Sequence, residues 1–193
     1  MTNSINITGI ILAGGQSRRF NQQDKGWVNW QGKPLVQYVL ESIQSQTQDI
    51  LINCNHNSER YRSLGYPIIQ DLLPDFQGPL AGIQASLAHV KTEWVLICPC
   101  DTPLLPANLV SKLLSSALLQ QAELAYPKCQ GKEHYLPVIL QASLLNNISD
   151  YLGSGGRSMK GFYKTINAIS VDFDNKRDFS NFNCPDDLTS PLS

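Results

Sequence analysis

The residues best suited to chemistry lie in one short stretch near the start of the chain, directly after an apolar run that ends at Leu12. Gly14 and Gly15 let a ligand approach the backbone and tolerate positive φ, so their N–H groups can bond an anion. Three cations follow closely: Arg18, Arg19 and Lys25. This combination predicts a site for a nucleoside triphosphate. A tight strand-to-helix turn with solvated arginines is the simpler alternative.

Two well-known phosphate-binding patterns do not describe this stretch. The pattern G-x-x-x-x-G-K-[ST] fails because Lys25 follows Asp24 rather than glycine, and because Pro34 follows Gly32-Lys33. The dinucleotide pattern G-x-G-x-x-G fails because Gln16 follows the paired glycines. The loop therefore belongs to neither class.

Asp101 is the candidate metal ligand, because the apolar run Trp94–Cys98 leads straight into Pro99-Cys100-Asp101 and because Asp101 lies between Pro99 and Pro103. Magnesium prefers oxygen ligands and commonly takes only one or two carboxylates together with substrate phosphates. A single well-held aspartate is therefore sufficient for a magnesium site. The alternative is an ordinary turn-forming aspartate.

Two further polar residues, and Lys25 itself, fit a nucleotide site. The Asn53 side chain both donates and accepts, so it can contact a base edge or a ribose. Asp71 is a candidate second metal ligand or nucleotide partner, and Lys25 is a candidate point-charge clamp on phosphate. Each has a structural alternative: Asn53 and Asp71 as turn residues at strand ends, and Lys25 in a surface ion pair with Asp24. No Ser-His-Asp or Cys-His arrangement suggests covalent catalysis.

Composition narrows the class of protein. The chain has 193 residues, 42% hydrophobic, with a formal net charge of -1, which fits one globular domain without the basic surface of a nucleic-acid-binding protein. We expect no membrane partner, because no apolar run approaches the roughly 20 residues of a membrane helix. No signal peptide is recognisable, and five cysteines without a C-x-x-C pair indicate reduced thiols and no zinc. These features predict a cytoplasmic protein.

Strand and helix patterns alternate along the chain. Predicted strands lie at about Asn6–Leu12, Ile50–Ile52, Pro67–Gln70, Trp94–Cys98, Glu123–Pro127, Tyr135–Leu140 and Ala168–Asp172, with Lys128–Glu133 as a turn. Predicted helices begin at Pro34, Asn57, Leu80, Asn108, Ala142 and Pro185. The alternation predicts an α/β fold, a three-layer αβα sandwich with a mostly parallel, Rossmann-like sheet. Gly14, Asn53, Asp71 and Asp101 then all lie at the carboxyl edge of that sheet, where such sheets bind ligands.

Five motifs, taken in order, closely resemble the molybdenum cofactor guanylyltransferases, within the wider nucleotidyltransferase superfamily. They are Leu12-Ala13-Gly14-Gly15 with Arg18-Arg19, Asp24-Lys25-Gly26, Gly32-Lys33-Pro34-Leu35, Gly78-Pro79-Leu80-Ala81-Gly82 and Pro99-Cys100-Asp101-Thr102-Pro103. The tail, Asn181-Phe182-Asn183-Cys184-Pro185-Asp186-Asp187-Leu188, is similar to the family's closing motif. Two departures are Phe20-Asn21 where the family usually has Met-Gly, and Leu136-Pro137 where it often has His-Pro.

The resemblance implies a fold of the nucleotide-diphospho-sugar transferase type and magnesium-dependent transfer of GMP from GTP to molybdopterin that carries molybdenum. It implies one domain over residues 1–193, with a nucleotide-binding half at 1–110 and an acceptor half at 111–193. Its nucleotide site maps onto Leu12, Ala13, Gly14, Gly15, Lys25, Asn53, Asp71 and Asp101. Arg19, Lys25 and Asp101 are the implied catalytic residues, with Asp101 on magnesium.

On the acceptor side, the resemblance assigns the pterin to three residues: Arg157, Asn181 and Asn183. It further implies partner proteins that deliver the cofactor or receive it as molybdoenzymes. Residue chemistry alone does not choose guanine. A cytidylyltransferase on the same pterin, a sugar-phosphate nucleotidyltransferase and a nucleotide-binding module without turnover remain as alternatives.

Overall fold

The strand predicted at the start of the chain lies in the interior of the sheet in a computed structural model, which describes residues 5–14, 24–72 and 77–182. This strand, β1 (Ile7–Leu12), pairs in parallel with β4 (Asp49–Asn53) on one side and β6 (Trp94–Pro99) on the other. Its alternating side chains enter different cores. Ile7 and Ile11 contribute to one and Ile10 to the other. A continuous apolar run is typical of a strand covered on both faces.

The remaining strands extend the sheet at both edges. They are β5 (Ile68–Ile69), β7 (Leu124–Cys129), β8 (Lys132–Glu133), β9 (Val138–Gln141) and β10 (Ala168–Phe173). The strand order is β10-β7-β9-β6-β1-β4-β5, with β8 paired to β7. Only β8 and β9 run antiparallel to their neighbours in this sheet. The prediction of a mostly parallel sheet is confirmed. A short hairpin of β2 (Asn29–Trp30) and β3 (Lys33–Pro34) lies outside this sheet.

Helices cover both faces of the sheet. They are α1 (Leu35–Gln44), α2 (Ser58–Arg62), α3 (Pro79–Leu87), α4 (Leu109–Leu119), α5 (Leu145–Gly153) and α6 (Met159–Tyr163), with 3-10 turns at Lys25–Trp27, Ala142–Leu144 and Lys176–Phe179. Apolar residues of α1 and α4 share one core, and those of α3, α5 and α6 share the other. The predicted three-layer αβα arrangement is therefore confirmed.

Several local predictions differ from the structure. Pro34 caps α1 from an extended conformation instead of forming its first residue. The turn predicted over Lys128–Glu133 is a tight hairpin, because Gln130 and Gly131 both take positive φ. Helix α6 was not predicted. It begins where the Ser158 hydroxyl caps the N–H of Gly161. The helix predicted from Pro185 lies outside the described residues.

Within the ranges that the structure describes, no helix combines the length and the apolar character that crossing a bilayer requires.

Candidate active site

The carboxyl ends of three parallel strands are tied together at one point of the sheet edge. The Ala13 N–H donates to the Asn53 carbonyl oxygen at 2.8 Å, and the Cys100 N–H donates to the Leu12 carbonyl oxygen at 3.1 Å. These bonds extend the ladders β1–β4 and β1–β6 by one residue each. The three strand ends therefore form a rigid floor on which the following residues are placed.

A cavity of about 260 Å³ opens over this floor. Seven of the residues predicted from the sequence line it together: Leu12, Ala13, Gly14, Lys25, Asn53, Asp71 and Asp101. Six further lining residues were not predicted as site residues: Gly78, Pro79, Gly82, Pro99, Cys100 and Leu136. The motif Gly78-Pro79-Leu80-Ala81-Gly82 was the available signal for three of them. Its proline begins α3, whose N-terminus faces the same cavity.

Lys25 pairs with Asp101 and not with its neighbour Asp24. The Lys25 Nζ atom lies 3.3 Å from Asp101 Oδ2, and the two side chains are 23% and 10% exposed. The alternative of a surface pair with Asp24 is therefore wrong. A carboxylate that is nearly buried needs a countercharge, and Lys25 supplies it across 76 positions of sequence.

Asp24 has a separate structural role. Its Oδ1 accepts the Gly26 N–H at 3.1 Å and the Tyr61 hydroxyl at 2.5 Å. Asn57 Nδ2 donates to its second oxygen at 3.2 Å. Burial raises the pKa of Tyr61 far above its ordinary value, so this hydroxyl remains a donor. Asp24 thereby caps the short 3-10 turn that carries Lys25, and it fixes the position of the Lys25 backbone.

Asp71 is held by two amides from the end of β4. Asn53 Nδ2 donates to its Oδ1 at 2.8 Å, and Asn55 Nδ2 donates to its Oδ2 at 2.9 Å. Asn55 Oδ1 in turn accepts the Asp71 N–H at 2.9 Å. Asn53 also donates to the Ile69 carbonyl oxygen at 3.3 Å. Asn55 was missed because a second asparagine after a strand gives no signal of its own.

Gly82 makes room for this network. A Cβ at Gly82 would lie 2.3 Å from Asn53 Oδ1, closer than any side chain tolerates. A Cβ at Gly14 would lie 3.0 Å from Asn55 Nδ2. Helix α3 and the glycine loop can therefore approach Asn53 and Asn55 only because both positions lack side chains.

Cys100 lines the cavity without the properties of a nucleophile. Burial raises the pKa of its thiol well above the ordinary value, so the reactive thiolate is not formed. Cys54, Cys98 and Cys129 are likewise buried free thiols, whereas Cys184 lies outside the described residues. In the described part of the chain, no group of three or more His, Cys, Asp and Glu side chains is placed to hold a metal.

A second, larger cavity of about 860 Å³ adjoins the first, and Leu136 lines both. Its walls come from the β7–β8 hairpin, the start of α6 and the segment 179–181. Lys132 and Lys160 contribute positive charge, and Tyr135 and Phe179 contribute aromatic rings. This cavity has the dimensions and the lining for a substrate with both ring and anionic groups.

Glu133 in the second cavity is held by two tyrosines. The Tyr135 hydroxyl donates to it at 2.6 Å and the Tyr126 hydroxyl at 2.8 Å. These bonds lower the pKa of Glu133, and burial raises the pKa of Tyr126 to about 12. Burial and the nearby Lys132 lower the pKa of His134, which also lines the cavity. At neutral pH the lysines therefore carry the positive charge here, with His134 uncharged.

The residues predicted to contact a pterin have different positions. Asn181 lines the second cavity, and its Oδ1 accepts the Thr102 hydroxyl at 2.8 Å. Arg157 lines neither of the two cavities. Its guanidinium donates to Gln77 Oε1 and to the carbonyl oxygens of Leu152 and Gly156, each at 2.7 Å. The remaining predicted site residues, Gly15, Arg19 and Asn183, lie outside the described residues.

The chain is similar to known proteins over most of its length. Residues 9–168 match the family model described as "MobA-like NTP transferase domain". A protein of Yersinia pseudotuberculosis serotype O:1b (strain IP 31758) named molybdenum cofactor guanylyltransferase is 44% identical over 183 residues, covering 94% of this chain and 93% of the relative.

Two solved structures share the fold. Molybdopterin-guanine dinucleotide biosynthesis protein A from Archaeoglobus fulgidus superposes with a TM-score of 0.75 at 22% identity, covering 94% of each chain. The 4-diphosphocytidyl-2C-methyl-D-erythritol synthase from Anaerococcus prevotii superposes with a TM-score of 0.76 at 10% identity, covering 95% of this chain and 93% of the other. At identities this low, the superpositions show a shared fold and nothing more.

Proposed function

The chain belongs to the family of the MobA-like NTP transferase domain, and on that premise we propose that it transfers GMP from GTP to the terminal phosphate of molybdopterin carrying molybdenum. A phosphate oxygen of the pterin attacks the α-phosphorus of GTP, the bond to the β-phosphate oxygen breaks, and pyrophosphate leaves. The product is molybdopterin guanine dinucleotide. The observation that carries nucleotidyl transfer is the Lys25–Asp101 pair at the edge of the sheet. The pair lies in a cavity that is also lined by the other five predicted residues found there and by the ends of three parallel strands.

The chain's own residues act by position and charge. Lys25 offers a cation to the triphosphate, and its position is fixed by Asp24 and Tyr61 through the 3-10 turn. Gly14 leaves space for the phosphates beside the strand ends. Asn53 and Asp71, which hold each other in one orientation, contact the nucleoside. Arg19, as a second cation for the leaving pyrophosphate, remains a proposal from the sequence.

The donor set near Asp101 fits one magnesium ion. The Asp101 carboxylate lines the cavity, is only 7% exposed as a residue and is a hard oxygen ligand of the kind that magnesium takes. Asp71 fits this role less well, since amide groups already occupy both of its oxygens. When bound, the ion would neutralise negative charge on the phosphates. Asp101 would hold the ion, and Lys25 would supply a second positive charge beside the phosphates.

The acceptor belongs in the second cavity, beside Leu136. Aromatic side chains there suit a flat ring system, and Lys132 and Lys160 suit its phosphate. Asn181 connects the acceptor side to the nucleotide site, because it bonds to Thr102, the neighbour of Asp101. Arg157 contributes indirectly, through Gln77 and the start of α3, rather than as a wall of this cavity.

The direct test is incubation of the purified protein with GTP, magnesium chloride and molybdopterin, followed by chromatographic detection of the dinucleotide and an assay for pyrophosphate. We expect both products in equal amounts and neither with Asp101→Asn, which keeps the side-chain shape but removes the charge. Parallel reactions with CTP separate guanylyl from cytidylyl transfer. Binding of GTP without pyrophosphate release, in the presence of the pterin, would contradict the proposal.

A further inference from the structure

We propose that Thr102 and Phe182 are positioning residues, which hold Asn181 at a fixed distance from Asp101 and Lys25 so that acceptor and nucleotide meet in register. This inference rests on the proposed function for its catalytic meaning. Its structural part concerns a small apolar cluster, formed by Val28, Trp30, Leu35 and Phe182, which we call the third core. It is separate from the two large cores on the faces of the sheet.

The third core joins the segments that carry the site. Val28 follows Lys25 by three positions, and Leu104, which packs against the third core, follows Asp101 by three. Phe182 directly follows Asn181. A chain of three residues spans at most about 10 Å. Three site residues from distant parts of the sequence are therefore each attached, by a short tether, to the same buried cluster.

Phe182 makes the most direct of these connections. Its ring is 4% exposed and packs edge-on against Trp30, with centroids 4.9 Å apart and an angle of 76°. Its backbone N–H donates to the Asp101 carbonyl oxygen at 2.8 Å. Trp30 is itself held by Tyr38, whose hydroxyl donates to the Trp30 carbonyl oxygen at 2.9 Å. The segment around Phe182 is thus bonded to the Asp101 loop and anchored by its side chain.

Thr102 sets the orientation of Asn181. Its side chain is fully buried, and its hydroxyl donates to Asn181 Oδ1 at 2.8 Å. Because the amide oxygen accepts this bond, the NH2 group of Asn181 occupies the other branch of the side chain, as a donor suited to phosphate oxygens. Asn181 lines the second cavity, which we assign to the acceptor, whereas Asp101 lines the first cavity, which we assign to the nucleotide. Thr102 therefore couples a donor in one cavity to the carboxylate of the other.

The expected consequence is kinetic. Group transfer between two bound substrates depends on near-attack geometry, and a displacement of about 1 Å costs on the order of 100-fold in rate. Loss of the Thr102–Asn181 bond or of the Phe182 packing should slow the transfer of GMP to the acceptor. GTP binding should be retained, because the first cavity has other lining residues.

The first test compares Thr102→Val with Thr102→Ser. The valine removes the hydroxyl at nearly constant volume, and we expect kcat/KM for the pterin to fall by roughly 10- to 100-fold with GTP affinity nearly unchanged in calorimetry. The serine keeps the hydroxyl and should restore most of the activity. The matched control is Thr8→Val, at the opposite end of β1, where an equally buried hydroxyl accepts from Thr92 at 2.8 Å. Equal kinetics for Thr102→Val and Thr8→Val, or failure of serine to rescue, would overturn the inference.

The second test needs no turnover. Hydrogen exchange at the amide of residue 182 reports the bond to the Asp101 carbonyl oxygen directly. We expect Phe182→Leu to accelerate this exchange by about three- to tenfold, the effect of losing one aromatic pair. Phe162→Leu, at a position of similar burial (1% exposed) in another core, should leave it unchanged.

The two tests fail separately. A wild-type protein that forms no dinucleotide would refute the proposed function and leave the exchange result intact. Unaltered exchange in Phe182→Leu would refute the positioning role even in an active enzyme.

Discussion

At the residue scale, the ionic partner of Lys25 determines what the lysine can do. An exposed pair with Asp24 would contribute little to stability or binding. The observed pair with Asp101 lies in a cavity, where water screens the charges less, and it places a cation beside the carboxylate most suited to a metal. The pair thereby combines charge balance for a nearly buried aspartate with a site for phosphate.

Replacement of the lysine tests this role. We expect Lys25→Ala to weaken GTP binding by about 1–3 kcal/mol, because one charge-assisted contact is lost and Asp101 is left without its cation. Calorimetry with GTP and magnesium measures the change. Lys33→Ala is the control, since Lys33 pairs with Glu41 on the surface, where the carboxylate side chain is 55% exposed. GTP affinity that is equal in the two variants would exclude the clamp role.

At the element scale, helix α3 can reach the sheet edge because of a missing side chain. Its first residues line the nucleotide cavity, and Gly82 lies against Asn53, which in turn orients Asp71. Helical glycine is ordinarily unfavourable by about 1 kcal/mol relative to alanine. Here that cost is outweighed, because the glycine permits a close packing that brings the helix start and the ends of β4 and β5 to one cavity.

Alanine at this position should therefore be harmful despite its better helix propensity. We expect Gly82→Ala to destabilise the fold by about 1–3 kcal/mol and to weaken GTP binding, since its Cβ displaces Asn53 from Asp71. Thermal unfolding and calorimetry measure the two effects. Gly153→Ala in α5 is the matched control, because nothing lies within 4 Å of the added Cβ, and it should be neutral or mildly stabilising. Similar behaviour of both variants would contradict the packing argument.

At the scale of the whole molecule, one continuous sheet brings the two cavities together. Strand β9 is inserted antiparallel between β6 and β7, and the segment before it carries Leu136, which both cavities share. Residues from the second half of the chain therefore lie next to the three strand ends that form the floor of the first cavity. The packing of the helices on this sheet also buries the four described cysteines, which lie on several strands and loops.

These thiols offer a measure of global integrity. Burial raises the pKa of Cys54 to about 11 and that of Cys98 further still, so little thiolate is present at pH 8. In a Cys184→Ser background, we expect reaction with a disulfide reagent to be slow in the native protein and to accelerate with denaturant in parallel with unfolding. The unfolded protein supplies the control rate. Rapid labelling of any of the four thiols under native conditions would show that the cores open locally.

Much of the architecture was predictable because it depends on local pattern. The continuous apolar run of β1 requires cover on both faces, and the stripe Leu35, Val36, Val39, Leu40 and Ile43 requires one buried helix face. Parallel strands then place Gly14, Asn53, Asp71 and Asp101 at one edge whatever the details of packing. The short helix α6 escaped prediction because it closely follows a glycine-rich stretch, residues 153–156, that is typical of a loop.

By itself, the sequence determined which residues end the strands, and hence which side chains meet at the edge of the sheet. Only the tertiary structure decided how those side chains pair: Lys25 with Asp101, Asp71 between two asparagines, and Asn181 with Thr102. The physical reason is the range of the interactions. Hydrophobic period and turn chemistry act between near neighbours, whereas these bonds join residues 16 to 79 positions apart, whose distances are set only when the two large cores and the third core have packed.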